Sequence, residues 1–206
     1  MFDALSDCTS GVSHLAGTTM LPVDLGAAVV AGAFSLNRAE HDRRQGFGAG
    51  AVTSLALLHG LWMLPEDCPV EPGALPDVKV RRLRDTPCAV EEKDGFLVRS
   101  YRPAGVLRAV AFAGGSVERT IEHAIQFSPI VSRFVMLGPA QSLTTRQEWL
   151  AREWSVGVFQ RTALSEGSFV VPPSSPVLGV PSVFRWWIAE LAYESLLQTS
   201  AQPVSW

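Results

Sequence analysis

The sequence predicts an α/β fold in which a mixed central β-sheet is flanked by helices, with a helical part at the N-terminus. Three observations support it. The second half of the chain alternates short apolar runs, typical of buried strands, with amphipathic segments of helical period. Turn signals separate most of these segments. With 47% hydrophobic and 18% charged residues, the 206-residue chain has enough apolar side chains for a sheet covered by helices. The same composition excludes a chain that is disordered throughout.

The first 70 residues are predicted to form the helical part. Residues 21–36 and 49–64 are apolar runs that we interpret as buried helices joined by a polar link at 37–45. Neither run reaches the roughly 18–20 apolar residues that a membrane-spanning helix needs.

A proline-rich segment at 65–76 is the best candidate for a domain boundary, because proline continues neither a helix nor a central strand. We therefore predict a helical region over residues 1–70 and an α/β domain over residues 71–206.

The α/β domain is predicted to begin with a meander of strands. Residues 78–83 and 88–92 are the first two predicted strands. An Asp-Gly turn pair at 94–95, followed by an alternating run at 96–101, predicts a β-hairpin. The apolar run 106–113 then predicts a strand that is buried on both faces.

Helices and strands alternate after that strand. Ser116 is the predicted N-cap of an amphipathic helix that Pro129 ends, and Thr145 with Glu148 predicts a capping box at the start of another helix. Ser182 is the predicted N-cap of a long final helix. The remaining elements are predicted as strands at 131–137, 156–160 and 168–171, and as helices at 146–154 and 183–198.

Pro76-Asp77, followed by Glu91-Glu92-Lys93, has the written form of the PD-(D/E)xK motif of metal-dependent nucleases. Carboxylates on two adjacent strands can hold Mg²⁺, which activates a water and neutralises charge on the scissile phosphate. Alternation along a strand puts Glu91 and Lys93 on one face. The catalytic set would be Asp77, Glu91 and Lys93 with Mg²⁺. The alternative is a solvated hairpin edge, for which no cofactor is expected.

The run from Arg82 to Phe159 resembles the restriction-endonuclease-like fold, in which a meander of strands leads into a helix, then a strand, a helix and a strand. Residues 123–127 (HAIQF) are similar to the Q-A-x-x-Y signature that many members carry on this helix. The resemblance implies that 106–113 is the catalytic strand and that Asp85 is the first metal-binding aspartate. Since 106–113 ends without a carboxylate or a lysine, the active site is either lost or displaced.

A basic band is the main charge feature. Residues 76–110 carry a net charge of +3, whereas the whole chain carries −3. The candidate nucleic-acid contacts are Lys79, Arg81, Arg82 and Arg84, because arginine can pair with phosphate in a bidentate manner. A strand would place Lys79 and Arg81 on one face and the other two on the opposite face. The alternative is a surface paired with nearby carboxylates.

Trp186 and Trp187 are adjacent on the final predicted helix. Adjacent helical residues point about 100° apart, so the two side chains do not share one core stripe. Since tryptophan is enriched at interfaces, we predict that at least one contacts a partner, including a second copy of the chain. Core packing between two layers is the alternative.

These observations favour a non-catalytic, restriction-endonuclease-like protein that binds DNA or a protein partner in a DNA-linked or regulatory complex. An active divalent-metal-dependent nuclease and a structural or assembly subunit are the alternatives, so enzymatic activity stays open. Three unpatterned cysteines and an acidic N-terminus predict a cytoplasmic protein with no membrane segment.

Overall fold

The computed structural model describes residues 17–25, 29–127, 131–161, 167–173 and 182–201. The predicted helix stop at Pro129 lies outside these residues. In chain order the elements are β1 (Thr19–Asp24), β2 (Val29–Leu36), α1 (Arg38–Gly46), α2 (Leu55–Trp62), a 3-10 turn (Pro72–Ala74), α3 (Asp77–Arg84), β3 (Val90–Lys93), β4 (Phe96–Arg99), β5 (Gly105–Ala113), α4 (Val117–Gln126), β6 (Ser132–Leu137), α5 (Thr145–Glu153), β7 (Gly157–Arg161), β8 (Gly167–Val171) and α6 (Val183–Ala201).

The chain divides into two compact units. One, which we call the sheet unit, comprises Met1–Ser35 and Leu107–Pro181, and the other, the helical unit, comprises Leu36–Val106 and Ser182–Trp206. This division does not coincide with the predicted boundary near residue 70, which stays a prediction.

The sheet unit is built on a six-stranded sheet in the order β1-β2-β5-β6-β7-β8. The pairs β1–β2 and β7–β8 are antiparallel, whereas β5–β6 and β6–β7 are parallel and are connected through α4 and α5. The sheet is therefore mixed, and the predicted α/β class with a mixed central sheet and flanking helices is confirmed.

The predicted helix at 21–36 is wrong, because the described residues of this run form β1 and β2. Burial along β1 alternates, with Leu21 and Val23 buried. Gly32 of β2 lies so close to Val23 and Leu107 that an added Cβ would approach both at 2.8 Å. An apolar run without a helical period leaves strand and helix undecided, and close packing within the sheet selects the strands.

Two other segments that were predicted as non-helical are helices. The polar link at 37–45 is α1, whose N-cap is Asn37, with its side chain accepting from the backbone N–H of Glu40. The predicted strand at 78–83 is α3, in which Val80 and Leu83 are buried three residues apart. That spacing is helical, and it puts both side chains on one face against the core of the helical unit.

Elements with strong local signals agree with the sequence predictions. Asp94 and Gly95 adopt positive φ angles of 54° and 84° at the turn between β3 and β4, which pair as an antiparallel hairpin. Ser116 caps α4 by accepting from Arg119. The capping box of α5 uses Thr144 and Gln147, one residue earlier than predicted.

Small and large side chains pack together in the core of the sheet unit. The central strands contribute alanines at 31, 33, 109 and 111, and the larger side chains that pack with them are phenylalanines and methionines. Phe169 lies edge-on to both Phe134 and Phe159, with ring centroids 5.7 and 5.1 Å apart. No helix in the described part of the chain is long and apolar enough to cross a membrane.

Arg133 joins strand β6 to the ends of two helices. Its Nη1 donates to the carbonyl oxygens of Ala124, Ile125 and Phe127 at the end of α4, at 2.8–3.2 Å. Its Nη2 donates to the carbonyl of Trp154, just after α5, at 2.7 Å. Burial lowers the pKa of the Arg133 guanidinium. Arg133 is buried, and it donates hydrogen bonds to carbonyl oxygens that have no partner within their own helices.

We expect Arg133→Met to lower the free energy of unfolding by about 3 kcal/mol or more, because four carbonyls lose a charged donor. Urea denaturation followed by circular dichroism measures the change. The control is Arg152→Met, which removes an exposed pair with Glu148 and should change stability by no more than about 0.5 kcal/mol. Equal effects of the two substitutions would contradict the role of Arg133.

Candidate functional site

The helical unit contains a buried ionic pair between Arg44 of α1 and Glu190 of α6. The side chains of both residues are completely buried. Nη1 and Nη2 of Arg44 donate to the two Glu190 oxygens at 2.8 and 2.9 Å, which is the bidentate geometry of strong arginine–carboxylate pairs. The Nε of Arg44 donates to Glu40 one helical turn earlier, at 2.9 Å.

Three further donors surround the Glu190 carboxylate. The Tyr101 hydroxyl donates to it at 2.8 Å, the Trp186 Nε1 at 3.1 Å and the backbone N–H of Val52 at 3.1 Å. The Arg44 guanidinium also lies 3.9 Å from the centroid of the Tyr101 ring, within range of a cation–π interaction. We call Glu40, Arg44, Tyr101 and Glu190 the buried network.

Helical spacing places these groups. Glu40 and Arg44 are four residues apart on α1, and Trp186 and Glu190 are four apart on α6, so each pair shares one helix face. The Nη2 of Arg44 also donates to the backbone carbonyl of Arg102, which fixes the segment after β4 to the same network.

Three groups of the network have shifted pKa values. Burial raises the pKa of Glu40, but hydrogen bonds from Arg43 and Arg44 outweigh it and hold that pKa below its ordinary value. Burial lowers the pKa of Arg44, and the hydrogen bond and charge of Glu190 more than reverse the effect. Burial and the Glu190 charge raise the pKa of Tyr101. These shifts favour a charged Arg44 and a protonated Tyr101 at neutral pH, the states in which both donate to Glu190.

A cavity of about 320 Å³ lies against the network and is lined by charged side chains, which we call the charged cavity. Its lining residues are Asn37, Ala39, Glu40, Arg43, Asp67, Glu91, Ser100 and Arg102. Both arginines already have carboxylate partners. Arg43 pairs with Glu40 at 2.8 Å, and Arg102 pairs with Glu66 at 2.8 Å and with Asp67 at 2.7 Å.

The residues of the nuclease-like motif occupy different elements. Asp77 begins α3 and Asp85 follows its end, while Glu91 and Lys93 are exposed on the hairpin strand β3. Only Glu91 lines the charged cavity. Within the described ranges no three His, Cys, Asp or Glu side chains come together in a way that could hold a metal ion. A catalytic role of Asp77, Glu91 and Lys93 with Mg²⁺, or of Asp85 as the alternative acid, stays a prediction.

The four basic residues predicted to contact phosphates lie on α3, so the predicted split between two strand faces is wrong. Arg81, Arg82 and Arg84 are exposed, and Lys79 is half-buried. Arg84 forms an ion pair with Glu92. For the part of the chain that is described, neither Arg81 nor Arg82 has a carboxylate within ion-pair distance.

The two adjacent tryptophans have different environments. Trp186 is only 5% exposed and packs in the core of the helical unit, 5.8 Å from the Tyr101 ring, and its predicted partner contact stays a prediction. Trp187 is half-buried, and its Nε1 donates to the carbonyl of Thr53 at 2.8 Å. A partner contact through Trp187 stays a prediction, as does a homo-oligomer.

Comparison with known proteins adds no relative. No family model matches the chain, and no curated protein or solved structure gives a match.

The buried network is the site that sequence reasoning missed. Its local signal was present, because Asn37 followed three residues later by Glu40 is typical of a helix start, and Glu40 with Arg44 has helical ion-pair spacing. The polar composition of residues 37–45 instead favours a link when the sequence is considered alone. The pairing of Arg44 with Glu190, 146 residues away, has no local signal.

We expect Glu190→Gln to lower the free energy of unfolding by about 3 kcal/mol or more, because it removes the bidentate counter-charge of the buried Arg44 guanidinium and leaves only the contact with Glu40. Chemical denaturation followed by tryptophan fluorescence reports the change. Glu194→Gln is the matched control, one turn later on α6 and half-buried. Unfolding of both variants at the same denaturant concentration would argue against a buried, stabilising pair.

Stability should also depend on pH through Glu40. Because its folded pKa lies below the ordinary value of 4.5, ionised Glu40 stabilises the fold above about that pH. This contribution is lost as the pH falls through the lower, folded pKa. We therefore expect Glu40→Gln to be less stable than the unmodified protein at neutral pH, with a difference that shrinks in acid. A difference that is independent of pH would exclude this linkage.

Proposed function

We propose that the protein is a non-catalytic, restriction-endonuclease-like protein that binds DNA through helix α3. The observation that carries the proposal is that this helix exposes positive charges that no carboxylate neutralises in the described residues. Arg81 and Arg82 are exposed and have no carboxylate partner in the described residues. Guanidinium groups in that state are available for bidentate contacts with phosphate oxygens.

Arg38 and Arg119 are also exposed without an ion pair in the described residues. However, α3 places Arg81 and Arg82 on one short helix with Lys79 and Arg84.

Several arginines elsewhere are already paired. Arg43, Arg99, Arg102 and Arg152 all form ion pairs with carboxylates at 2.7–3.3 Å. In such a pair the charge is already compensated, so a phosphate would have to displace a carboxylate. At Arg81 and Arg82 a phosphate would not have to displace a carboxylate of the described residues.

The helix is also held rigidly beneath these side chains. Val80 and Leu83 are 5% and 1% exposed, and both belong to the apolar core of the helical unit. A buried anchor on one face and cations on the other reduce the conformational freedom that is lost on binding. Lys79 and Arg82 are three residues apart and share one side of the helix, while Arg81 and Arg84 share another.

We expect a fluorescently labelled 20-base-pair duplex to bind with a salt dependence that reports about three phosphate contacts. Affinity should then fall about 40-fold between 50 and 200 mM salt, as a slope near −2.7 requires. Replacing both arginines, Arg81→Gln with Arg82→Gln, should reduce the magnitude of this slope by about 1.8. Fluorescence anisotropy at several salt concentrations measures both quantities.

The matched control is Arg146→Gln on α5, whose side chain is 86% exposed. This control should keep the slope of the unmodified protein. An unchanged slope in the α3 double variant would refute binding through this helix. Cleavage of the duplex with Mg²⁺ or Mn²⁺ that is lost in Glu91→Gln or Lys93→Gln would instead favour the nuclease alternative.

A further inference from the structure

We infer that a second cavity, between α2 and α3, is a binding site for a small organic anion that joins an apolar body to one carboxylate or sulfonate group. The inference goes beyond DNA binding, because it concerns a different ligand and a cavity rather than an exposed surface, with Arg82 belonging to both sites. The cavity measures about 290 Å³. Apolar residues line its interior, and Lys79 and Arg82 are its two cations.

The interior is apolar on both helices. α2 contributes Ala56, Leu57 and Gly60, and α3 contributes Leu83, with Pro76 just before that helix. These groups offer carbon surface and few hydrogen-bond partners, which favours an alkyl or aromatic body. A nucleobase would leave its polar edges unpaired on such a surface.

Gly60 keeps this space open. It lies inside α2, where glycine costs about 1 kcal/mol relative to alanine. A Cβ at this position would stand 3.9 Å from the Leu83 side chain, in ordinary van der Waals contact. The backbone therefore does not require glycine for steric reasons, and the missing side chain leaves volume in the cavity.

Among the described residues, no carboxylate pairs with the two cations at the cavity. Lys79 is half-buried, and its Nζ lies 3.4 Å from the Nδ1 of His59 and 3.3 Å from the Sδ of Met63, with no carboxylate partner among the described residues. Arg82 is exposed and has no carboxylate partner there either. Since the two residues are three apart on α3, both charges lie at the same side of the helix.

Together these features define the ligand. An apolar body would displace water from the carbon-lined interior, and its anionic group would meet Lys79 and Arg82. Octanoate is a suitable probe, because it has this combination of groups and a volume below that of the cavity.

The test is calorimetric titration of the full chain with octanoate, octanol and octylammonium. We expect saturable binding of octanoate, at least tenfold weaker binding of octanol, and no binding of octylammonium.

The substitutions Lys79→Gln and Arg82→Gln should each lower the affinity for octanoate about tenfold. Arg84→Gln is the control, because Arg84 is paired with Glu92 and does not line this cavity. Equal binding of octanoate and octanol, or no effect of Lys79→Gln, would overturn the inference.

A variant that fills the cavity separates this inference from the DNA proposal. Ala56 is exposed on α2, so Ala56→Phe can occupy the opening without entering the core. We expect it to abolish octanoate binding and to leave DNA affinity unchanged. Octanoate binding that survives Ala56→Phe would overturn the cavity assignment, whatever the outcome of the DNA experiments.

Discussion

The Glu190 carboxylate is the group on which the helical unit depends. It accepts hydrogen bonds from the side chains of Arg44, Tyr101 and Trp186 and from the backbone of Val52. A carboxylate has about four acceptor sites, so these donors saturate it. An unpaired carboxylate in this interior would cost several kcal/mol, so the pair with Arg44 is a condition for closing the core around the aromatic rings. The charged cavity on α1 and the basic surface on α3 both belong to the unit that this pair holds together.

Local signals explain how much of the fold could be predicted. The β3–β4 hairpin, β5 and the Ser116 cap each follow from a few neighbouring residues, and each prediction is confirmed. The run 21–36 was misassigned because its residues are apolar throughout, so that only packing between strands decides its conformation. Helix α3 was misassigned because alternation of basic and apolar residues over 78–83 suggested a strand, whereas burial of Val80 and Leu83 has helical spacing. The buried network depends on long-range pairing, which a single sequence does not reveal.

Arginine, which supplies 15 of the 17 basic residues, has three distinct roles in this protein. Arg44 is buried against carboxylates, and Arg133 is buried against carbonyl oxygens. Arg81 and Arg82 are exposed, and neither has a carboxylate partner in the described part of the chain. The first two roles use the planar fork of the guanidinium to bind several acceptors at once, for which lysine is a poor replacement. The bias that the composition shows is therefore part of how both units are held together.

The distance in sequence between Arg44 and Glu190 has a consequence for biosynthesis. The two residues are separated by 146 positions. At translation rates of 5–20 residues per second, Arg44 would precede its partner by roughly 7 to 30 s. During that interval the helical unit lacks the carboxylate that closes its interior, while strands β5 to β8 of the central sheet are being synthesised between its two parts. The nascent chain is therefore expected to need protection from premature association until the last helix has left the ribosome.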